Sequence, residues 1–135
     1  MKRVILGIVL GVITFGVILY WQSSQAQNRY PDYQIVAYKL QNKTYRVLLA
    51  DNPEKWEKGL MFQRKLQGVD GMLFKFPDED YRSFWNKNTY MNLEIIWVKK
   101  GKIVGTSNLP SIEQSKTTVT VNSPQEVDTV LELPQ

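Results

Sequence analysis

The sequence predicts a mainly β domain, a small barrel or sandwich-like fold with one short helix, preceded by an N-terminal transmembrane or signal helix. Three observations lead there. An uncharged apolar run follows Met1-Lys2-Arg3; short β-branched segments separated by turn residues recur through the rest; and a single segment carries helix-start chemistry.

From Val4 to Trp21 the chain is uncharged and rich in Ile, Val and Leu, interrupted only by Gly7, Gly11, Thr14 and Gly16. At ~1.5 Å per residue, about 18 helical residues match the ~30 Å hydrocarbon core of a bilayer. Lys2 and Arg3 precede the run and no charge follows it until Arg29. The positive-inside bias therefore keeps the N-terminus cytoplasmic and places the rest on the extracytoplasmic face, with Tyr20 and Trp21 at the outer interface. Ser24-Gln25-Ala26 has the small-residue pattern of a signal-peptidase site, so residues 1–26 read as a signal anchor or a cleaved signal peptide. Either way residues 27–135 are exported. The anchored form has the membrane as partner through residues 4–21; the cleaved form, starting at Gln27, is periplasmic or secreted. Gly7-x-x-x-Gly11 has the spacing of a packing face between two such helices.

In the exported part, Ile35 to Leu40 and Thr44 to Ala50 flank Gln41-Asn42-Lys43 and read as a hairpin. Asn52-Pro53-Glu54 supplies a cap, a first-turn proline and an acid at the positive end of a short helix running to about Leu60. Asp70-Gly71 marks a turn, and Met72 to Phe76 a buried strand that Pro77 should stop, leaving Asp78-Glu79-Asp80 as a solvated loop. Leu93 to Val98 and Ile103 to Thr106 flank Lys99-Lys100-Gly101-Lys102, a second hairpin with Gly where a positive φ is wanted. Thr117 to Val121 and Thr129 to Leu133 read as further strands.

Composition excludes much chemistry. The 135 residues allow one domain beyond the apolar run, and with 43% hydrophobic residues it can bury a core. There are 0 Cys and 0 His, which removes disulfides, thiolate metal sites, nucleophilic Cys and every His-based triad. An enzyme would have to run on Asp, Glu, Lys, Ser or Tyr. Of 17 Lys and Arg against 13 Asp and Glu, Lys2 and Arg3 lie in the N-terminal segment, leaving 15 − 13 = +2 dispersed among acids. Nucleic-acid binding needs a clustered patch, so no nucleic-acid partner is expected. Asp78-Glu79-Asp80 lacks the alternation of a calcium loop, and no cofactor motif is present.

Three ordered blocks carry more information than any composition: Gly59-Leu60-Met61-Phe62 with Arg64, then Gly71-Met72-Leu73-Phe74, then Phe84-Trp85-Asn86-Lys87-Asn88-Thr89 leading into Leu93-Glu94-Ile95-Ile96. With Ala50-Asp51-Asn52-Pro53-Glu54 before them and Val130-Leu131-Glu132-Leu133 after, the chain resembles the domain-of-unknown-function family 192 from about Tyr45 to its end. The resemblance implies a compact, mainly β domain, often exported, with no established activity. The chain departs from the family pattern at Asn86, Asn92 and Glu94, where Met, Pro and Asp are usual. It also stops just after Leu133, where the family typically continues through a Gly into a further strand, so either the sheet carries an open edge or the sequence is a fragment.

The Phe84 to Thr89 block offers Trp85, Lys87 and Asn88 as a set that stacks on a ring and hydrogen-bonds its polar groups, while Phe84 reads as a core anchor. Glu94 shares a strand face with Ile96 and needs a partner if buried, for which Arg64 and Lys87 are the candidates. Arg64, Trp85, Lys87, Asn88 and Glu94 are therefore the expected ligand-binding residues. The function expected from this sequence is a noncatalytic binding or accessory module of the cell envelope, with an envelope saccharide or a membrane protein as partner. The alternative is a carboxylate-dependent hydrolase of envelope polymers using Glu94.

Overall fold

The computed structural model describes residues 2–135, with side chains for 14–22 and 24–135. The N-terminal helix α1 spans Lys2–Arg29. The expected membrane segment, and Gly7-x-x-x-Gly11 within it, lies up to residue 13 outside the described side chains. Among the described residues no helix is long and apolar enough to cross a membrane.

Eight strands follow, β1 (Ile35–Leu40), β2 (Lys43–Ala50), β3 (Gly71–Asp80), β4 (Ser83–Trp85), β5 (Leu93–Lys99), β6 (Lys102–Leu109), β7 (Thr120–Asn122) and β8 (Val127–Pro134), with short helices α2 (Pro53–Lys58) and α3 (Ile112–Ser115). Six strands form one curled, half-barrel sheet in the order β1-β2-β3-β8-β5-β6, and β4 pairs with β7 in a second, two-stranded sheet. The mainly β expectation holds, with two short helices beyond α1 where one was foreseen.

Local chemistry explains most of these elements. Asn52 accepts a hydrogen bond from Lys55 N at 3.1 Å and caps α2, whose first turn holds Pro53. The β5–β6 hairpin turns at Lys100 and Gly101, both with positive φ, 49° and 76°, the twist-matched geometry of a tight two-residue turn. β2 and β3 are parallel, and α2 lies in the crossover between them.

Two expectations are corrected. Pro77 does not stop β3, because the register against β8 shifts between Lys75 and Asp80; inside this irregularity no ladder bond is asked of the missing N–H. Asp78-Glu79-Asp80 is accordingly strand rather than loop, with Glu79 paired to Lys99 at 2.9 Å and Lys100 at 3.3 Å. The last strand in sequence, β8, is interior, between β3 and β5, and the sheet edges are β1 and β6.

Both sheet faces are apolar. One face gathers Leu40, Val47, Leu73, Ile96, Val98 and Leu131, and everything packed on this cluster comes from the six strands. The other face holds Leu48, Met72, Phe74, Ile95, Trp97 and Val130, and Trp56 of α2 with Phe84 and Val121 of the small sheet pack over it. The last turn of α1 joins this cover: Ala26 is buried, Tyr30 and Tyr33 enter the core, and Gln27 Nε2 donates to Tyr33 O at 2.9 Å. Gly68 permits the close approach, since a Cβ there would stand 2.9 Å from that of Ala26.

Candidate functional site

Where α2 and the small sheet cover the face that holds Met72, Phe74 and Ile95, they leave a cavity of about 480 Å³, within the range of small-ligand pockets. α2 and the turn after it form one wall, with Trp56 and Gly59 to Met61; β4 forms the other, with Ser83, Phe84 and Trp85. Phe74, Phe76, Arg82 and Glu132 also line it. Each wall is fixed. Trp56 Nε1 donates to Ala50 O at 3.0 Å and its ring tilts against Phe76, while Phe84 packs edge-on against both Phe74 and Trp97.

The polar centre of this cavity is Glu132. Its ladder partners are Met72 on β3 and Ile95 on β5, so its side chain rises from the middle of an apolar sheet face. It is 4% exposed, and Oε2 has no hydrogen-bond partner. Burial alone pushes its pKa up from 4.5 to about 8, so the carboxyl is largely protonated at neutral pH. Gly59 preserves the space beside it: a Cβ there would lie 3.8 Å from Oε2 and 3.5 Å from the Phe74 ring, on a backbone with φ of +47°.

Arg82 supplies the second polar group. Its guanidinium stacks on Phe76 at 4.1 Å and donates to Asp78 Oδ1, with 2.6 Å between the paired atoms, yet its buried Nε has no acceptor. Among the described residues, the buried side-chain atoms without partners are these two, Arg82 Nε and Glu132 Oε2, and both belong to residues lining this one cavity. Buried polar groups are ordinarily satisfied, so the coincidence makes this cavity the candidate site.

The residues expected from sequence are placed differently. Trp85 lines the cavity and is partly exposed, and Lys87 Nζ lies 5.1 Å above its ring. Asn88 has a positive φ of 54° in the turn after β4, and its carbonyl accepts from Phe62 N at 2.8 Å. Arg64 pairs with Glu113 at 3.0 Å and stacks on Tyr90 instead of reaching Glu94. The pairing foreseen for Glu94 is therefore corrected: Arg64 is engaged elsewhere and Lys87 lies over Trp85. Glu94 pairs across from Leu133, on the face opposite Glu132. The structure thus brings Trp85 and Lys87 together, and leaves Arg64 and Glu94 out. Glu132 was missed although the same signal applied to it, an acid within an apolar strand.

The family model of DUF192, described as "Uncharacterized ACR", matches residues 35–135. The chain belongs to the DUF192 family. Two solved structures share its fold. A Sinorhizobium meliloti 1021 protein described as a "putative transcription regulator" is 28% identical over 76% of this chain and 81% of its own, with a TM-score of 0.60. A Novosphingobium aromaticivorans DSM 12444 protein of unknown function is 21% identical over 75% and 81%, with a TM-score of 0.57. No curated protein matches. The DUF192 resemblance carried by the three sequence blocks is thereby established over the whole sheet, since β1 begins at Ile35.

Proposed function

We infer that this DUF192 chain is a noncatalytic binding module of the cell envelope, tethered through its N-terminal apolar segment and taking a small ligand in the cavity above Glu132. The observation that carries this reading is the pair of unpartnered buried atoms, Glu132 Oε2 and Arg82 Nε, on residues lining one aromatic-walled cavity. Tethering is supported by the helix end: the large apolar side chains Phe15, Ile18, Leu19 and Trp21 are exposed, as a lipid-facing helix requires, and Ala26 is buried against Gly68. Ser24-Gln25-Ala26 would therefore present a shielded bond once the domain has folded.

The regulator description belongs to the Sinorhizobium meliloti protein. Here the helices after α1 span 6 and 4 residues, too short to lie along a DNA groove, and the charge beyond residue 26 is dispersed.

The test is a thermal-shift screen against envelope saccharides, peptides and lipids, repeated with Trp85→Ala. A ligand that raises the wild-type melting point and loses its effect in the variant is the expected outcome. A shift indifferent to Trp85, or no shift across the panel, would exclude this cavity. One observation favours hydrolysis as a second reading: Glu132 is held protonated as a general acid must be, and Glu57 also lines the cavity. Release of reducing ends from envelope polymers, abolished by Glu132→Gln, would establish it; Glu94 would play no part.

A further inference from the structure

We propose that the ligand of this cavity is an uncharged hydroxylated ring, a neutral saccharide unit, bound jointly by the Glu132 carboxyl and Arg82 Nε. The proposal rests on the binding reading above and adds the chemistry of the ligand.

The argument is one of charge and hydrogen-bond polarity. Arg82 brings a positive charge to the wall, but Asp78 neutralises it through the 2.6 Å pair, and its buried Nε–H is left without an acceptor. Glu57 and Lys58 are consecutive, exposed and of opposite sign, so the rim adds no net charge. Glu132 is fully buried, and burial favours its neutral acid. A cationic ligand would need Glu132 to ionise among Met72, Ile95 and Phe74. An anionic one would confront a guanidinium whose charge Asp78 already neutralises. A hydroxyl group donates and accepts at once, so a ring carrying several of them satisfies both orphaned atoms without moving any charge. The walls suit the body of such a ring, because Trp56, Phe84 and Trp85 present aromatic surface on both sides.

Isothermal titration of the full chain, in a zwitterionic detergent free of sugar headgroups, tests this with matched probes: glucose and N-acetylglucosamine as neutral rings, glucosamine as the cation and glucuronate as the anion. The neutral rings are expected to bind at least about tenfold more tightly than either charged counterpart. Glu132→Gln keeps the donor and acceptor without the ionisation and should change the neutral-ring affinity by less than about threefold, whereas Glu132→Leu should weaken it by about tenfold or more. Trp85→Ala, at an exposed position, should weaken it comparably. Tighter binding of glucosamine or glucuronate, with loss of that binding in Glu132→Gln, would overturn the neutral-ring assignment and leave the binding module standing. A Trp85-dependent shift with a lipid or peptide and none with any sugar would do the same. Absence of every response would remove the binding reading and this inference with it.

Discussion

A carboxyl taken from water into an apolar sheet face keeps its proton, and the consequence of Glu132 standing between Met72 and Ile95 is a stability that depends on pH. Its folded pKa, about 8, lies above the ordinary 4.5, so the stabilising contribution is complete below pH 4.5 and lost as the pH rises through 8. The full loss is about 5 kcal/mol at 1.36 kcal/mol per unit. Urea unfolding should show the wild type losing several kcal/mol between pH 5 and pH 9, and Glu132→Gln a much flatter profile; equal slopes would mean that Glu132 is not buried as described. Asn86 is a residue of the opposite kind, buried and fully used: Nδ2 donates to Pro110 O and Ser115 Oγ at 2.9 and 2.8 Å, and Oδ1 accepts from Val119 N at 2.8 Å. It ties β4 to the segments before and after α3. Asn86→Ala strands those groups and should cost about 2–4 kcal/mol in the same assay, with each orphaned group contributing ~1–3 kcal/mol.

The elements differ in how much local chemistry supports them. α2 has only 6 residues, too few to persist alone, yet it positions Trp56 over the cavity. Asn52→Ala removes its cap and should destabilise the domain by about 1 kcal/mol in thermal unfolding, and should weaken any ligand that packs on Trp56. β3 depends on Gly71 for a steric reason: a Cβ there would collide with the Glu132 carbonyl. Gly71→Ala is expected to push β3 from β8 and cost more than the ~1 kcal/mol that ordinary Gly substitutions in strands involve; a soluble, equally stable variant would argue against this packing. The two hairpins were readable from their turns because a turn is decided by two residues. The extension of β3 past Pro77 was not, since a proline is tolerated in a strand only where the partner's register happens to slip, and that partner is more than 45 residues away.

For the whole molecule, the end of α1 is part of the domain. A chain starting after Gln25 keeps Ala26, Gln27, Tyr30 and Tyr33 and should unfold cooperatively. One starting at Gln34 loses both tyrosines from the core and should be less stable by several kcal/mol, given ~3–5 kcal/mol for an aromatic core truncation; denaturant midpoints of the two would decide it. The mainly β class, the first helix cap, both hairpins and the family were all legible along the chain, because turn residues, caps and alternation act over a few positions. The site was only partly legible. Trp85 and Lys87 were found as neighbours in sequence that remain neighbours in space. Leu93-Glu94-Ile95 and Leu131-Glu132-Leu133 are nearly the same motif, and nothing local separates them. They lie on adjacent antiparallel strands with Glu94 opposite Leu133 and Ile95 opposite Glu132, one residue out of step. That single step of a two-residue period sends Glu132 to the face roofed by α2 and β4 and Glu94 to the other. Local sequence determined that each acid would sit in an apolar strand. Which of them became enclosed, unpartnered and protonated was decided by strand register and by the elements that cover one face, both set by contacts between residues far apart in the chain.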